Sequence, residues 1–140
     1  MGKVVSLVRQ AAAIPIRGGR ICMVTTRSGK GLVIPKGRLE RGRTAEQMAL
    51  QEAWEEAGIL GIVQSRPLGS YRYSKAGMQF QVETFLMQVT TVVKSWPESH
   101  WRSRHWLLPD DAARRTHQRG LYRLLRKVEA RLAQRVRRAG

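Results

Sequence analysis

Glu52, Glu55 and Glu56 are the residues whose type and spacing bear most directly on chemistry. They fall within "PKGRLERGRTAEQMALQEAWEEAGI", residues 35–59, which gathers five carboxylates (Glu40, Glu46, Glu52, Glu55, Glu56) in a chain with 10 Asp and Glu against 26 Lys and Arg. On a helix, at about 100° per residue, Glu52 and Glu56 lie about 40° apart and Glu55 lies about 60° to the other side of Glu52. Three like charges at i, i+3 and i+4 repel one another. A hard divalent cation, which takes oxygen ligands, is the simplest compensation. A solvated acidic face is the other reading of such a run, and the spacing alone leaves both open.

The elements that must position these carboxylates can be traced outward from them. Thr44 followed by Gln47 has the form of a capping box, and Gly58 suits a helix C-terminus, so a helix is predicted over residues 45–57. Ala49, Ala53, Ala57, Leu50 and Trp54 fill the arc beside the carboxylates and supply a packing face. Upstream, residues 4–17 and 20–26 are apolar and β-branched, and "RGGR" between them predicts a tight turn. "LVIP" is then a short buried strand that delivers the chain to Lys36 and Gly37. Downstream, "LGIVQSRPLGSYRYS" and "MQFQVETFLMQVTTVV" predict strands around a "KAG" turn, and "SRHWLLP" a further short strand. "PDDAARR" opens a short helix, and a basic helix over about residues 118–138 carries Leu121, Leu124, Leu125, Val128, Leu132 and Val136 along one face. Strands and helices in this order predict an α/β fold, a central mixed sheet with helices packed on it. The 140 residues fit one domain, 1–140.

The formal charge of +16 implies an anionic partner. Residues 114–140 hold 10 Lys and Arg and one Glu, a net +9 that leaves +7 for the rest, so the body is basic without its tail. The basic helix has RNA, anionic lipid and a second polyphosphate as conceivable partners, but its stripe follows ordinary core-helix periodicity, and removing residues 134–140 is expected to leave activity intact. The single cysteine, Cys22, sits in "ICMVTT" and is expected to be a buried thiol in a reducing compartment. No apolar run has the roughly 18–20 residues of a membrane span. "MGKVVS" matches a myristoylation pattern and "KVVSLVRQAAA" loosely imitates a signal peptide, but Arg9 interrupts the apolar stretch and the segment fits a first strand better. A cytoplasmic protein is expected, with no membrane partner, as a monomer or homodimer. His100, His105 and His117 lack metal-ligand spacing. Trp96, Trp101 and Trp106 are expected to pack rather than stack on bases, with Trp106 in the core.

The segment resembles the signature of Nudix hydrolases, G-x5-E-x7-R-E-U-x-E-E-x-G-U, where U is bulky and apolar. Gly37, Glu52, Glu55, Glu56, Gly58 and Ile59 fall at motif positions. Arg43 stands where the first Glu is expected, Gln51 replaces the Arg, and Ala53 is smaller than usual. The resemblance implies a Nudix-type α/β/α sandwich, here with an extra C-terminal basic helix, and a box over residues 37–59. It implies hydrolysis of a phosphoanhydride with Mg²⁺ or Mn²⁺ held by Glu52, Glu55 and Glu56 and by the Gly37 carbonyl, one of the carboxylates serving instead as general base.

Beyond the box, "RQAAAIPI", "VTTRSGKGLVIPKGRLERG" and "WPESHWRSRHWLLPDDA" are similar to the diphosphoinositol polyphosphate and diadenosine polyphosphate phosphohydrolases. Leu32 and Arg38 depart from that subgroup's "W-x-x-P-K-G-G-x-E" loop. The similarity implies a small polyphosphate substrate whose phosphates meet Arg9, Arg27, Lys36, Arg38, Arg72, Lys75, Arg102 and Arg104, each a donor of charge-assisted hydrogen bonds. Arg43 and Gln51 keep a second expectation open: a catalytically weakened module that binds nucleotide or RNA.

Overall fold

In a computed structural model, which describes residues 6–139, the chain alternates strands and helices around one mixed sheet. The strands are β1 (Leu7–Arg17), β2 (Arg20–Thr25), β3 (Leu32–Val33), β4 (Lys36–Arg38), β5 (Ile59–Val63), β6 (Gly69–Lys75), β7 (Met78–Val92) and β8 (Arg104–Leu107). The helices are α1 (Ala45–Ala57), α2 (Pro109–Arg115) and α3 (Arg119–Ala139). The sheet path runs β3-β2-β1-β7-β5, with β4 on β1, β6 on β7 and β8 on β2. Its spine is the parallel pairing of β1 with β7, from Leu7↔Gln79 to Ile16↔Gln88.

Alternation along β1 and β7 divides the core into two layers, because successive side chains point to opposite faces. Ala11, Ala13, Phe85 and Met87 face α1, packing against Met48, Ala49, Ala53 and Ala57. Ala12, Ile14 and Leu86 face the other side, against Ala112 and Ala113 of α2 and Leu121, Leu125 and Val128 of α3. Each large side chain among them contributes about 1.5–3 kcal/mol by leaving water. Cys22 lies in the α1 layer, where burial pushes its thiol up to about 12, so it stays protonated and inert.

Several predicted elements differ. The start of the first strand at residues 4–5 lies outside the described residues. The segment carrying Lys36 and Gly37 is itself a strand, pairing Gln10↔Arg38, Ala11↔Gly37 and Ala12↔Lys36, so the motif glycine is fixed by ladder bonds to the central strand. The apolar stripe of α3 ends at Leu132: Val136 is 72% exposed, because the packed face of the helix stops there and residues 133–139 are all exposed. Truncation after Ala133 is therefore expected to leave the thermal midpoint within about 3 °C, a shift readable by circular dichroism, since exposed positions change stability little. No described helix is long and apolar enough to cross a membrane.

Candidate active site

Helix α1 begins where the sequence places it: the Thr44 hydroxyl accepts from the Gln47 N–H at 3.1 Å, and the Gln47 side chain accepts from the Thr44 N–H at 2.9 Å. Its other end is held by tertiary partners. Gly58, at φ 65 and ψ 40, turns the chain into the left-handed region and donates back to the Trp54 carbonyl. The Glu98 N–H reaches the Glu55 carbonyl at 3.1 Å, the Trp96 indole N–H reaches the Glu56 carbonyl at 2.9 Å, and Arg104 reaches the Ala57 carbonyl at 2.7 Å. These satisfy carbonyls that a helix end otherwise leaves without intrahelical partners. The strand-free segment before β8 thus clamps the turn of α1 that carries the carboxylates.

Glu52 and Glu56 converge, and their carboxyl groups lie within hydrogen-bonding reach of each other. Glu56 is only 4% exposed. Its carboxylate accepts from the Lys36 N–H at 3.4 Å and sits 3.5 Å from the Arg102 guanidinium. Burial raises both groups above the ordinary carboxylate range; Arg102 opposes the rise at both, the charges of Glu55 and Glu98 add to it at Glu52, where the bond to Glu56 works against it, and Glu52 adds to it at Glu56. The Lys36 ammonium is lowered by burial, against the pull of Glu56. Glu55 takes a different course: its side chain accepts from the Gln51 amide at 2.9 Å. Among the described residues no three His, Cys, Asp or Glu side chains are gathered as a metal cluster, so the predicted trio is present as a converged pair with a third carboxylate beside it.

Two adjacent carboxyls, Glu56 buried and Glu52 partly buried with a motif glycine against it, have the donor chemistry of a hard-cation site, in which a divalent ion takes the place of a shared proton. Gly37 matters here by what it lacks, since a Cβ on it would overlap the Glu52 carboxyl group. Gly37→Ala is expected to push the Glu52 side chain aside and lower turnover about 10- to 100-fold, the usual cost of disturbing a group that supports a metal site. The midpoint of thermal unfolding, measured alongside, should move little because the displaced atoms end a flexible side chain.

The eight predicted phosphate contacts separate on inspection. Arg102 lies at the carboxylates, also bonding Glu98 at 2.7 Å and the Thr25 carbonyl at 2.7 Å. Arg102 and Arg27 both lie over the Trp101 ring, at 4.1 and 4.8 Å from its centroid. Lys36 stands over the Tyr73 ring at 5.6 Å, close enough to exposed Lys75 for its charge to be felt. Arg9, Arg38 and Arg72 are exposed, with Arg72 bonded to Gln81 at 2.9 Å, and no described contact joins them to Glu52 or Glu56. Arg104 donates through one terminal nitrogen to the carbonyls of Ala57, Gly58 and Val93 and stacks on Trp96 at 4.4 Å, so it helps hold the helix end, and no described contact joins it to Glu52 or Glu56. Sequence reasoning missed Glu98 and the capping role of Trp96; the i, i+4 spacing of Glu98 and Arg102 was the available signal for the first. Trp106 is partly buried against the α1 layer, close to its expected core position.

Comparison with known proteins gives a consistent picture. The family model described as NUDIX domain matches residues 7–128. Among curated relatives, Nudix hydrolase 18, mitochondrial, of Arabidopsis thaliana is 35% identical over 94 residues, covering 66% of this chain and 53% of the relative. Nudix hydrolase 12, mitochondrial, of the same plant is 32% identical over 121 residues, covering 78% of this chain and 60% of the relative. The chain thus spans about half the length of the curated relatives it matches. A solved binary complex of a C. elegans Ap4A hydrolase superposes with a TM-score of 0.73 at 22% identity, over 91% of this chain and 98% of that one. The E. coli ORF135 protein does so at 0.68 and 19%, over 98% of both. At these identities the likeness is one of fold.

Proposed function

Because the chain belongs to the Nudix family, we propose that it is a divalent-metal-dependent hydrolase cleaving a phosphoanhydride in a small, highly charged substrate, a dinucleoside polyphosphate or a diphosphoinositol polyphosphate. The observation that carries this reading is the Glu52–Glu56 pair, in which partly buried Glu52 lies against Gly37 and buried Glu56 is faced by Arg102. The subgroup reading draws on the motifs around the box and on the fold shared with an Ap4A hydrolase. Nudix hydrolases generally use divalent metals. Glu52 and Glu56, with Glu55 and the Gly37 carbonyl, would hold Mg²⁺ or Mn²⁺, which on binding neutralises phosphate oxygens and acidifies a water.

The chain's own residues supply the rest. Arg102, fixed by Glu98 and Thr25, orients Glu56 and presents positive charge toward a phosphate. Lys36 and Lys75 add charge on the β4 and β6 sides, and Arg27 adds it beside Trp101. One of the carboxylates, serving as base instead of as metal ligand, would accept the proton of the attacking water.

Glu55 held by Gln51 favours a second reading, a module that binds nucleotide without turnover. One experiment separates the two: phosphate release from diadenosine polyphosphates, diphosphoinositol polyphosphates, nucleoside triphosphates and 5′-triphosphorylated RNA, with Mg²⁺, with Mn²⁺ and with chelator. Metal-dependent release from one class establishes the hydrolase and its substrate. Tight binding without release from any of them establishes the binding module. The truncation after Ala133 is expected to keep full turnover of small substrates, since the removed residues lie on the far side of the sheet from α1.

A further inference from the structure

We propose that α3 and the cavity beside its C-terminal end form a binding site for a single-stranded nucleic acid, separate from the carboxylate pair. Arg119, Arg123, Lys127, Arg131 and Arg135 recur every fourth residue along α3, and all five are exposed. Four residues of helix rise about 6 Å and turn about 40°, so the ridge offers a cation every turn over about 24 Å while winding about 160° around the helix toward its C-terminal end. That repeat suits the successive phosphates of an extended strand.

The ridge carries no compensating carboxylate. Glu129 is the one acidic residue of α3, and it is bound with Asp110 to Arg126, which lies off the ridge. None of the five ridge cations forms a salt bridge among the described residues. A membrane surface is the poorer partner, because the helix has already spent its apolar face on the sheet: Leu121, Leu124, Leu125 and Val128 are buried, and only Val136 beyond them is free to insert.

At the end of the ridge lies a cavity of 460 Å³, roomy enough for a nucleobase. Arg135 belongs to both ridge and cavity, and Arg17 of the β1–β2 turn lines it as well. Leu86 and Leu132 give it apolar surface, and Gln64 and Gln88 add amides. Guanidinium planes and apolar walls for a base face, with amides for a base edge, are the means by which unpaired bases are held. The site is remote from the proposed chemistry: Arg17 is six residues along β1 from Ala11, the partner of Gly37, or about 20 Å at strand rise. It therefore stands or falls independently of the hydrolase reading.

The test is fluorescence anisotropy of the full chain with a labelled single strand of about 15 nucleotides, as RNA and as DNA, over a salt series. Competitors are inorganic polyphosphate of equal charge and phosphatidylserine vesicles. Five phosphate contacts predict a log–log salt slope of about −3.5, and Arg123→Gln with Arg131→Gln and Arg135→Gln should bring it near −1.5 and weaken binding at least about tenfold. Gln64→Ala with Gln88→Ala should weaken binding with the slope unchanged. Thermal melts and turnover of a small phosphoanhydride should be unaltered in both. If the triple variant does not fold, Arg123→Gln alone should still reduce the slope by about 0.7. Tighter binding of RNA or of DNA names the natural strand. Equal competition by polyphosphate, preference for vesicles, or undiminished binding by the folded ridge variant would overturn the proposal.

Discussion

Glu56→Gln is expected to lower turnover of a phosphoanhydride substrate by at least about 100-fold, the upper end of what even an outer supporting group costs at a metal site. The substitution keeps shape and removes the ability to ionise from a group that is nearly fully buried, so its effect is chemical. Arg102 keeps Glu98 and the Thr25 carbonyl as partners and is not left stranded. Stability gives an independent readout. A carboxyl whose proton affinity is raised by folding supports the fold below its ordinary range and loses that support as pH rises through the raised one. With chelator at neutral pH, a neutral Gln should therefore leave the melting temperature unchanged or higher. The same melt with Mn²⁺ should show the wild-type protein stabilised and Glu56→Gln indifferent, since a ligand stabilises only the state that binds it. Near-normal turnover, or an undiminished Mn²⁺ shift, would remove Glu56 from the metal site. Glu52→Gln should behave alike, and Glu55→Gln reports whether Glu55 leaves Gln51 to join them.

Replacing Gly58 by valine should cost about 2–4 kcal/mol of stability and lower the melting temperature by about 6–15 °C. Two terms combine. A side chain in the left-handed region costs about 1–2 kcal/mol, more for a β-branched one. A Cβ at this position would also lie 2.8 Å from the Trp96 side chain, which cannot retreat without surrendering its indole bond to the Glu56 carbonyl. The damage falls on the turn that aims Glu56, so turnover should fall with stability. Gly58→Ala should show the same signs at smaller size. Calorimetry of the two variants measures the ladder, and a melting temperature equal to wild type in both would mean that the clamp on α1 does not depend on this glycine.

The sequence by itself determined what depends on neighbours within a few residues. Helix α1 runs over residues 45–57 as its cap signals required, with the capping box formed and Gly58 left-handed. The hairpin turn at Gly18 and Gly19 and the short helix opened by Pro109 are likewise local, fixed by backbone sterics. The motif spacing singles out Glu52, Glu55 and Glu56 together and does not distinguish among them.

Tertiary structure decided what depends on partners far along the chain. The pairing of β1 with β7 joins residues about seventy positions apart, and no local pattern specifies it. Arg102 and Arg104 look interchangeable in "WRSRHW", yet one faces Glu56 and the other caps α1, because their positions relative to the helix end are set only when β8 docks on β2. The burial that raises the proton affinity of Glu52 and Glu56 comes from packing α1 on the sheet beside β4, and so does the separation of Glu55 toward Gln51. Helical spacing fixes angles around an axis, but which of those angles faces protein and which faces water is a property of the assembled fold.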